Sequence, residues 1–133
     1  MLPIPEINED TRPYFEAAAA DQLKLQRCTG CQALQAIPRT FCAHCQCAQL
    51  EWIPATGRGK VASFSIVHRG PTKAFKEISP YVLALIDLEE GVRLMLNILG
   101  EDREQVAIGD AVEIIFEARG EEGFKLPQAR RTV

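Results

Sequence analysis

Four of the five cysteines stand in two Cys-x-x-Cys pairs, Cys28/Cys31 and Cys42/Cys45, with ten residues between the pairs. Two such pairs at short separation can fold as two knuckles whose thiolates occupy the corners of a tetrahedron, a set that suits zinc. The flanking residues fit short strands around tight turns: Leu23-Lys24-Leu25-Gln26-Arg27 leads into the first pair, Leu34-Gln35-Ala36-Ile37 leads out, and Pro38 and Phe41 precede the second. The expected object is a zinc ribbon with Cys28, Cys31, Cys42 and Cys45 as ligands.

Other chemistries of paired cysteines fit this sequence less well. Disulfides need an oxidising compartment, and residues 1–20 show no basic segment followed by an apolar stretch, so a cytoplasmic setting is expected. A thioredoxin-like pair would open a helix, whereas turn or strand residues follow both pairs here. Iron in a rubredoxin-like site uses the same four thiolates, and spacing does not choose the metal. Gln32 and Gln46 occupy the places where glycine often permits a left-handed turn. Cys47 lies two residues beyond the second pair, either as a substitute ligand or as a small residue in the turn. His44, inside the second knuckle, is surplus to a shell that four thiolates complete.

The remainder predicts a mainly β chain in three segments: an N-terminal helical segment 1–22, the ribbon 23–56 and a barrel domain 57–133. Asn8-Glu9-Asp10-Thr11 supplies capping side chains and Pro13 suits a first turn, so a helix is expected there. Its apolar stripe is read as Tyr14, Phe15, Ala18 and Ala19. Beyond the turn Pro54–Gly59, strands are expected over Val61–His68, Pro80–Leu88, Val92–Leu99, Ala111–Glu117 and Gly123–Leu126. Phe64 and Ile66 would face one side of the first strand, Val61 and Val67 the other. A short helix near Glu101–Val106 falls between the third and fourth strands, the element order of a five-stranded OB-fold barrel. Gly70–Ser79 reads as a long loop between strands one and two, a place where such barrels carry recognition. Gly57-Arg58-Gly59-Lys60 lacks the spacing of a phosphate loop and reads as a turn.

Composition limits the partners. The formal net charge is −3, and thiolates around Zn²⁺ would make it more negative, a poor match for nucleic acid. Aromatic residues are only 7% and do not interleave with basic ones, although an OB barrel plus a ribbon is a nucleic-acid-binding combination elsewhere, which stays as the rival reading. No apolar run is long enough to span a membrane. His44 and His68 are the two histidines, and neither sits in a recognisable pairing with a nucleophile, so no catalytic residue is assigned.

One resemblance spans nearly the whole chain. Tyr14-Phe15-Glu16-Ala17, the two cysteine pairs with Leu23–Arg27 and Pro38-Arg39 before them, Gly57-Arg58-Gly59, Ser63–Arg69, Pro80-Tyr81-Val82, Glu90–Leu94 and Ile108-Gly109-Asp110 follow one another as in the DUF35 family. That resemblance implies an N-terminal helix, a rubredoxin-like zinc ribbon and an OB-fold domain associated with acyl-CoA. It implies an accessory subunit of thiolase-like enzymes, among them acyl-CoA thiolases, acyltransferases and aldolases of steroid side-chain acyl-CoA esters. Some members instead accompany MaoC-like enoyl-CoA hydratases. The four ribbon cysteines carry over as metal ligands, and no catalytic residue does. For the CoA ester, His68, Arg69, Lys73 and Lys76 are candidates, with Lys125, Arg130 and Arg131 as further cations. Tyr14, Phe15 and Trp52 are candidates for docking the partner of such a hetero-oligomer, since aromatic side chains lead interface anchors.

Overall fold

The structure, a computed structural model, describes residues 2–120 and 122–132. Near the N-terminus Asn8 and Thr11 exchange hydrogen bonds, Thr11 N–H donating to Asn8 Oδ1 at 3.0 Å and Asn8 N–H to Thr11 Oγ1 at 3.0 Å. Helix α1 (Arg12–Ala19) starts on that closed turn, with Pro13 where a missing N–H costs nothing. Its inward face is not the expected one. Ala17 and Ala18 are buried and Ala19 is exposed. Tyr14, Ala17 and Ala18 lie at i, i+3 and i+4, the spacing that puts three side chains on one side of a helix. Asp21 ends the helix in a left-handed conformation (φ 61°).

The ribbon is a three-stranded antiparallel sheet in the order β2-β1-β3, made of β1 (Lys24–Cys28), β2 (Leu34–Gln35) and β3 (Leu50–Pro54). Gln26 faces Gln35 on one side of β1 and Trp52 on the other.

The second body is a closed five-stranded barrel in the order β4-β5-β6-β8-β7, with β4 (Arg58–Val67), β5 (Tyr81–Leu88), β6 (Arg93–Leu99), β7 (Ala111–Arg119) and β8 (Phe124–Arg131). A 3₁₀ turn over Arg103–Gln105 stands between β6 and β7, where the sequence points to a helix. This is the OB-fold order, closed by antiparallel β4–β7 pairing and a short parallel β6–β8 contact. Strand β5 alternates buried and open positions over its length, and β6 does so from Leu94 to Ile98. Gly91 (φ 90°) closes their hairpin.

Three features depart from the sequence reading. The register of β4 against β5 shifts between Val61 and Ser63, a bulge that leaves two residues opposite one. That slip inverts the parity, so Val61, Phe64 and Ile66 all join one core instead of dividing between two faces. Strand β8 runs on past Leu126 to Arg131, because Ala129 and Arg130 pair with both β7 and β6. The Gly70–Ser79 excursion is no simple loop: it carries helix α2 (Lys73–Glu77), whose Thr72 hydroxyl accepts from Phe75 N–H at 3.4 Å. Gly70 packs directly on that helix, where an added Cβ would lie 2.5 Å from the Phe75 carbonyl carbon.

Leu23 and Leu25 of the ribbon side belong to the same buried cluster as Val82, Ile86, Ile98 and Val112 of the barrel. Ribbon and barrel therefore share one apolar core. Helix α1 closes over it, with Phe15 stacked 5.1 Å from Phe124 of β8 and Lys125 Nζ 2.7 Å from Asp21 Oδ1. No helix of the described residues is long and apolar enough to cross a membrane.

Candidate metal centre

The two knuckles are built alike. Cys28 N–H donates to Ala33 O and Gln32 N–H to Cys28 O, each at 2.9 Å; Cys42 N–H donates to Cys47 O and Gln46 N–H to Cys42 O, again at 2.9 Å. In the first, Gly30 and Cys31 N–H point at Cys28 Sγ at 3.3 and 3.4 Å. In the second, His44 and Cys45 N–H point at Cys42 Sγ at 3.3 and 3.5 Å. The left-handed residue that closes each knuckle is a glutamine, Gln32 at φ 67° and Gln46 at φ 64°. Glutamine thus takes the place where glycine would be the easier choice.

The four sulfurs converge. Cys28 Sγ is 3.5 Å from Cys45 Sγ, Cys31 Sγ is 3.6 Å from Cys42 Sγ, and all four lie within 4.8 Å of one another. A tetrahedron with Zn–S bonds of about 2.3 Å has sulfur–sulfur edges of about 3.8 Å, so the donor set fits a tetrahedral thiolate ion in size and kind. Cys28 and Cys42 are buried while Cys31 and Cys45 face solvent.

The thiols differ in acidity. A hydrogen bond from Cys31 N–H, joined by those from Cys45 Sγ and Gly30 N–H, outweighs desolvation and holds Cys28 down at about 6. Cys42 is lowered in the same way by Cys45 N–H and His44 N–H. At Cys45 the Cys47 N–H lowers the thiol, but contacts with Cys28 and Cys31 and desolvation prevail and push it up to about 12. The knuckles thus favour thiolate at the two buried sulfurs. An ion held by all four sulfurs has no open position for water, so it would cross-link the knuckles and leave catalysis elsewhere.

The other cysteine and the ring inside the knuckle stand apart. Cys47 is outside the four-sulfur cluster; its sulfur accepts from Gln49 N–H at 3.4 Å. His44 contributes its backbone N–H and its side chain is exposed.

The remaining candidates fall in two places. His68 and Arg69 are exposed at the end of β4, and Lys73 and Lys76 are exposed on α2. None of these four forms an ion pair among the described residues. Lys125, Arg130 and Arg131, by contrast, are engaged by Asp21, by Glu113, and by Asp102 and Asp110 respectively. A cleft of about 350 Å³ lies beside α2, with Ile78, Tyr81, Asn97, Leu99, Arg103 and Arg119 among its lining residues. Tyr14 and Phe15 line a separate groove of about 530 Å³ with Ile37, Pro38, Leu94 and Met95. Ile37 and Met95 are 63% and 66% exposed there. Burial raises the Tyr14 phenol to about 12. Trp52 is half-buried on β3, outside that groove.

Sequence reasoning missed Gln26 and Gln35, the two buried polar side chains of the ribbon. No local signal marks them, because glutamine is ordinarily a surface residue and their partners lie in the distant segment 39–43.

A two-knuckle thiolate ribbon fused through a common core to an OB barrel defines a class, and the comparisons agree with it. Residues 15–51 match the family described as ChsH2, rubredoxin-like zinc ribbon domain, and residues 52–117 match ChsH2, C-terminal OB-fold domain. A DUF35 domain-containing scaffold protein of Methanothermobacter thermautotrophicus is 37% identical over 88% of this chain and 88% of its own length. The chain belongs to the DUF35 family. A probable enoyl-CoA hydratase alpha subunit of Thermomonospora curvata is 39% identical over 82% of this chain, which spans only 34% of that relative. Benzoylsuccinyl-CoA thiolase subunit BbsA of Geobacter metallireducens is 34% identical over 58% of this chain and 56% of its own length. A solved structure described as Ltp2-ChsH2(DUF35) aldolase superposes with a TM-score of 0.83 and 35% identity, over 98% of this chain and 100% of the other.

Proposed function

We propose that this chain is a non-catalytic accessory subunit that binds a thiolase-like enzyme and helps to form its acyl-CoA site. The observation that carries this reading is the correspondence with a chain of the Ltp2-ChsH2(DUF35) aldolase, which leaves almost nothing of either chain unmatched. The relative named as a thiolase subunit supports the same class of partner. In this reading residues 1–22 and the ribbon 23–56 form the scaffold, stapled by zinc on Cys28, Cys31, Cys42 and Cys45. The barrel 57–133 presents the excursion of His68, Arg69, Lys73 and Lys76. The unpaired charges of Arg69, Lys73 and Lys76 suit the phosphates of a CoA ester. The partner is assigned the face around Tyr14 and Phe15, with Trp52 as a further contact. The thiolase-like chain, not this one, supplies nucleophile and base.

The test is co-expression with a thiolase-like chain followed by size-exclusion chromatography. Co-elution as one hetero-oligomer supports the reading, and separate elution at micromolar concentration refutes it. A second reading, a partner of a MaoC-like hydratase, is favoured by the relative named as a hydratase alpha subunit and is tested the same way with that chain. Salt-dependent binding of single-stranded DNA or RNA would revive the nucleic-acid alternative.

A further inference from the structure

The ten residues between the knuckles contain β2 but no strand beyond it, yet they must deliver Cys42 within 3.6 Å of Cys31 Sγ. Backbone groups of an irregular segment lack ladder partners, and here side chains of the first hairpin supply them. Gln26 (4% exposed) sends its amide to both sides of one residue: Arg39 N–H donates to Gln26 Oε1 at 2.9 Å and Gln26 Nε2 donates to Arg39 O at 3.0 Å. Gln35 (9% exposed) does the same around the ligand itself. Ala43 N–H donates to Gln35 Oε1 at 3.0 Å and Gln35 Nε2 donates to Phe41 O at 3.4 Å, so the peptides on either side of Cys42 are tied to one amide. The two amides are joined in turn, Gln35 Nε2 donating to Gln26 Oε1 at 2.7 Å. Because Gln26 and Gln35 are register partners on β1 and β2, the pair is fixed by the first hairpin.

We infer that Gln26 and Gln35 are positioning residues of the metal centre: their side-chain amides act as a substitute strand edge that carries the second knuckle onto the first. A primary amide offers one acceptor and two donors in the plane of a peptide group, which is why it can pair with a backbone as a neighbouring strand would. The first knuckle is organised by its own hairpin. The second is held on its C-terminal side by β3, which pairs with β1 from Cys28↔Leu50, and on its N-terminal side by this pair, with Gln35 the more direct of the two because it brackets Cys42. Residues that orient ligands from outside the coordination shell affect metal affinity when lost, commonly by about 10- to 100-fold.

This inference rests on the reading of the four cysteines as a metal centre, and the experiment separates the two. Zinc affinity is measured by competition with a chromophoric chelator for the wild type, Gln35→Met and Gln128→Met; the cobalt(II) form of each is examined by absorption. Gln128 is the control, a buried glutamine (4% exposed) on β8 that bonds Asn97 and Glu117 within the barrel. Gln35→Met is expected to weaken zinc by about 10- to 100-fold and to alter the cobalt ligand-field bands, while Gln128→Met lowers barrel stability without either change. Equal zinc affinity in wild type and Gln35→Met, or equal losses in the two variants, overturns the inference. Should Gln35→Met not fold, amide exchange in the wild-type protein decides: Arg39 and Ala43 N–H are expected to be protected although no strand contains them. Exchange of both at the rate of open loop amides would overturn the inference. Absence of metal from the wild type would instead refute the metal centre, and the same exchange experiment would still judge the two amides.

Discussion

In the barrel, Val61, Val82, Ile86, Ile98 and Val112 are almost completely buried, and β4–β5, β5–β6 and β7–β8 pair along most of their lengths. In the ribbon, Leu25 is the one large aliphatic side chain buried to that degree, and Gln26, Gln35, Cys28 and Cys42 fill the other buried positions of its strands and knuckles. The barrel is thus held by apolar area, a non-directional force spread over many residues. The ribbon is held by a few directional bonds, some between amides and some to sulfur. The difference teaches where each region is vulnerable: the ribbon to loss of a single ligand, the barrel to loss of volume.

The largest effect should come from breaking the metal centre. Cys42→Ser is expected to abolish stoichiometric zinc and unfold the ribbon, since structural zinc in small domains supplies on the order of 10 kcal/mol of apparent binding free energy to folding. Metal analysis together with residue-resolved amide exchange checks this: ribbon protection should vanish while β5 and β6 stay protected. Full protection of the ribbon without metal would erase the contrast. Next in size is truncation in the shared core. Ile86→Ala should cost about 2–5 kcal/mol in denaturant melts and leave zinc stoichiometry intact. Leu25→Ala, of similar cost, should also raise the zinc dissociation constant, because Leu25 sits on the strand that leads to Cys28.

Gly70→Ala should cost about 1–3 kcal/mol, because the added carbon would lie 2.5 to 2.7 Å from backbone atoms of α2, which must then shift. Chemical denaturation measures it, and zinc content should not change. The smallest effect is electrostatic. Asp110 is held below the usual carboxylate range by the Ala107 N–H and then by Arg131, and Asp87 by Arg93. A lowered folded-state value means that the stabilisation is complete above the unfolded value of about 3.9 and is lost as pH falls through the folded one. Barrel stability should therefore drop as pH falls below about 4, and Asp110→Asn should flatten that slope. An unchanged slope would contradict it.

The sequence reads best where the determinants are local. The knuckles were legible because thiolate spacing is a short-range pattern, and β5 because Val82, Ala84, Ile86 and Leu88 alternate without interruption. The inward face of α1 was not, because Phe15 is held by Phe124 and Ala17 rather than Ala19 turns inward, a choice made by distant packing. The bulge in β4 hid the common side of Val61 and Phe64, since period-two counting assumes an unbroken ladder. Beyond Leu126, β8 has a proline, a glutamine and two arginines where a strand reader looks for aliphatics; parallel pairing to β6 and ion pairs to Glu113, Asp102 and Asp110 explain its place. At the four-sulfur cluster the cysteines were legible, while Gln26 and Gln35 were not, because their partners lie up to 13 positions away. The cations illustrate the same limit: sequence counted seven candidates for phosphate, and structure ties three of them to this chain's own carboxylates.

The accessory role itself is tested most directly by acyl-CoA turnover measured for this chain, for a thiolase-like chain, and for the two together. The account predicts no turnover by this chain alone and activity of the pair well above that of the thiolase-like chain alone. Turnover by this chain alone, or a partner whose rate is the same with and without it, would contradict it.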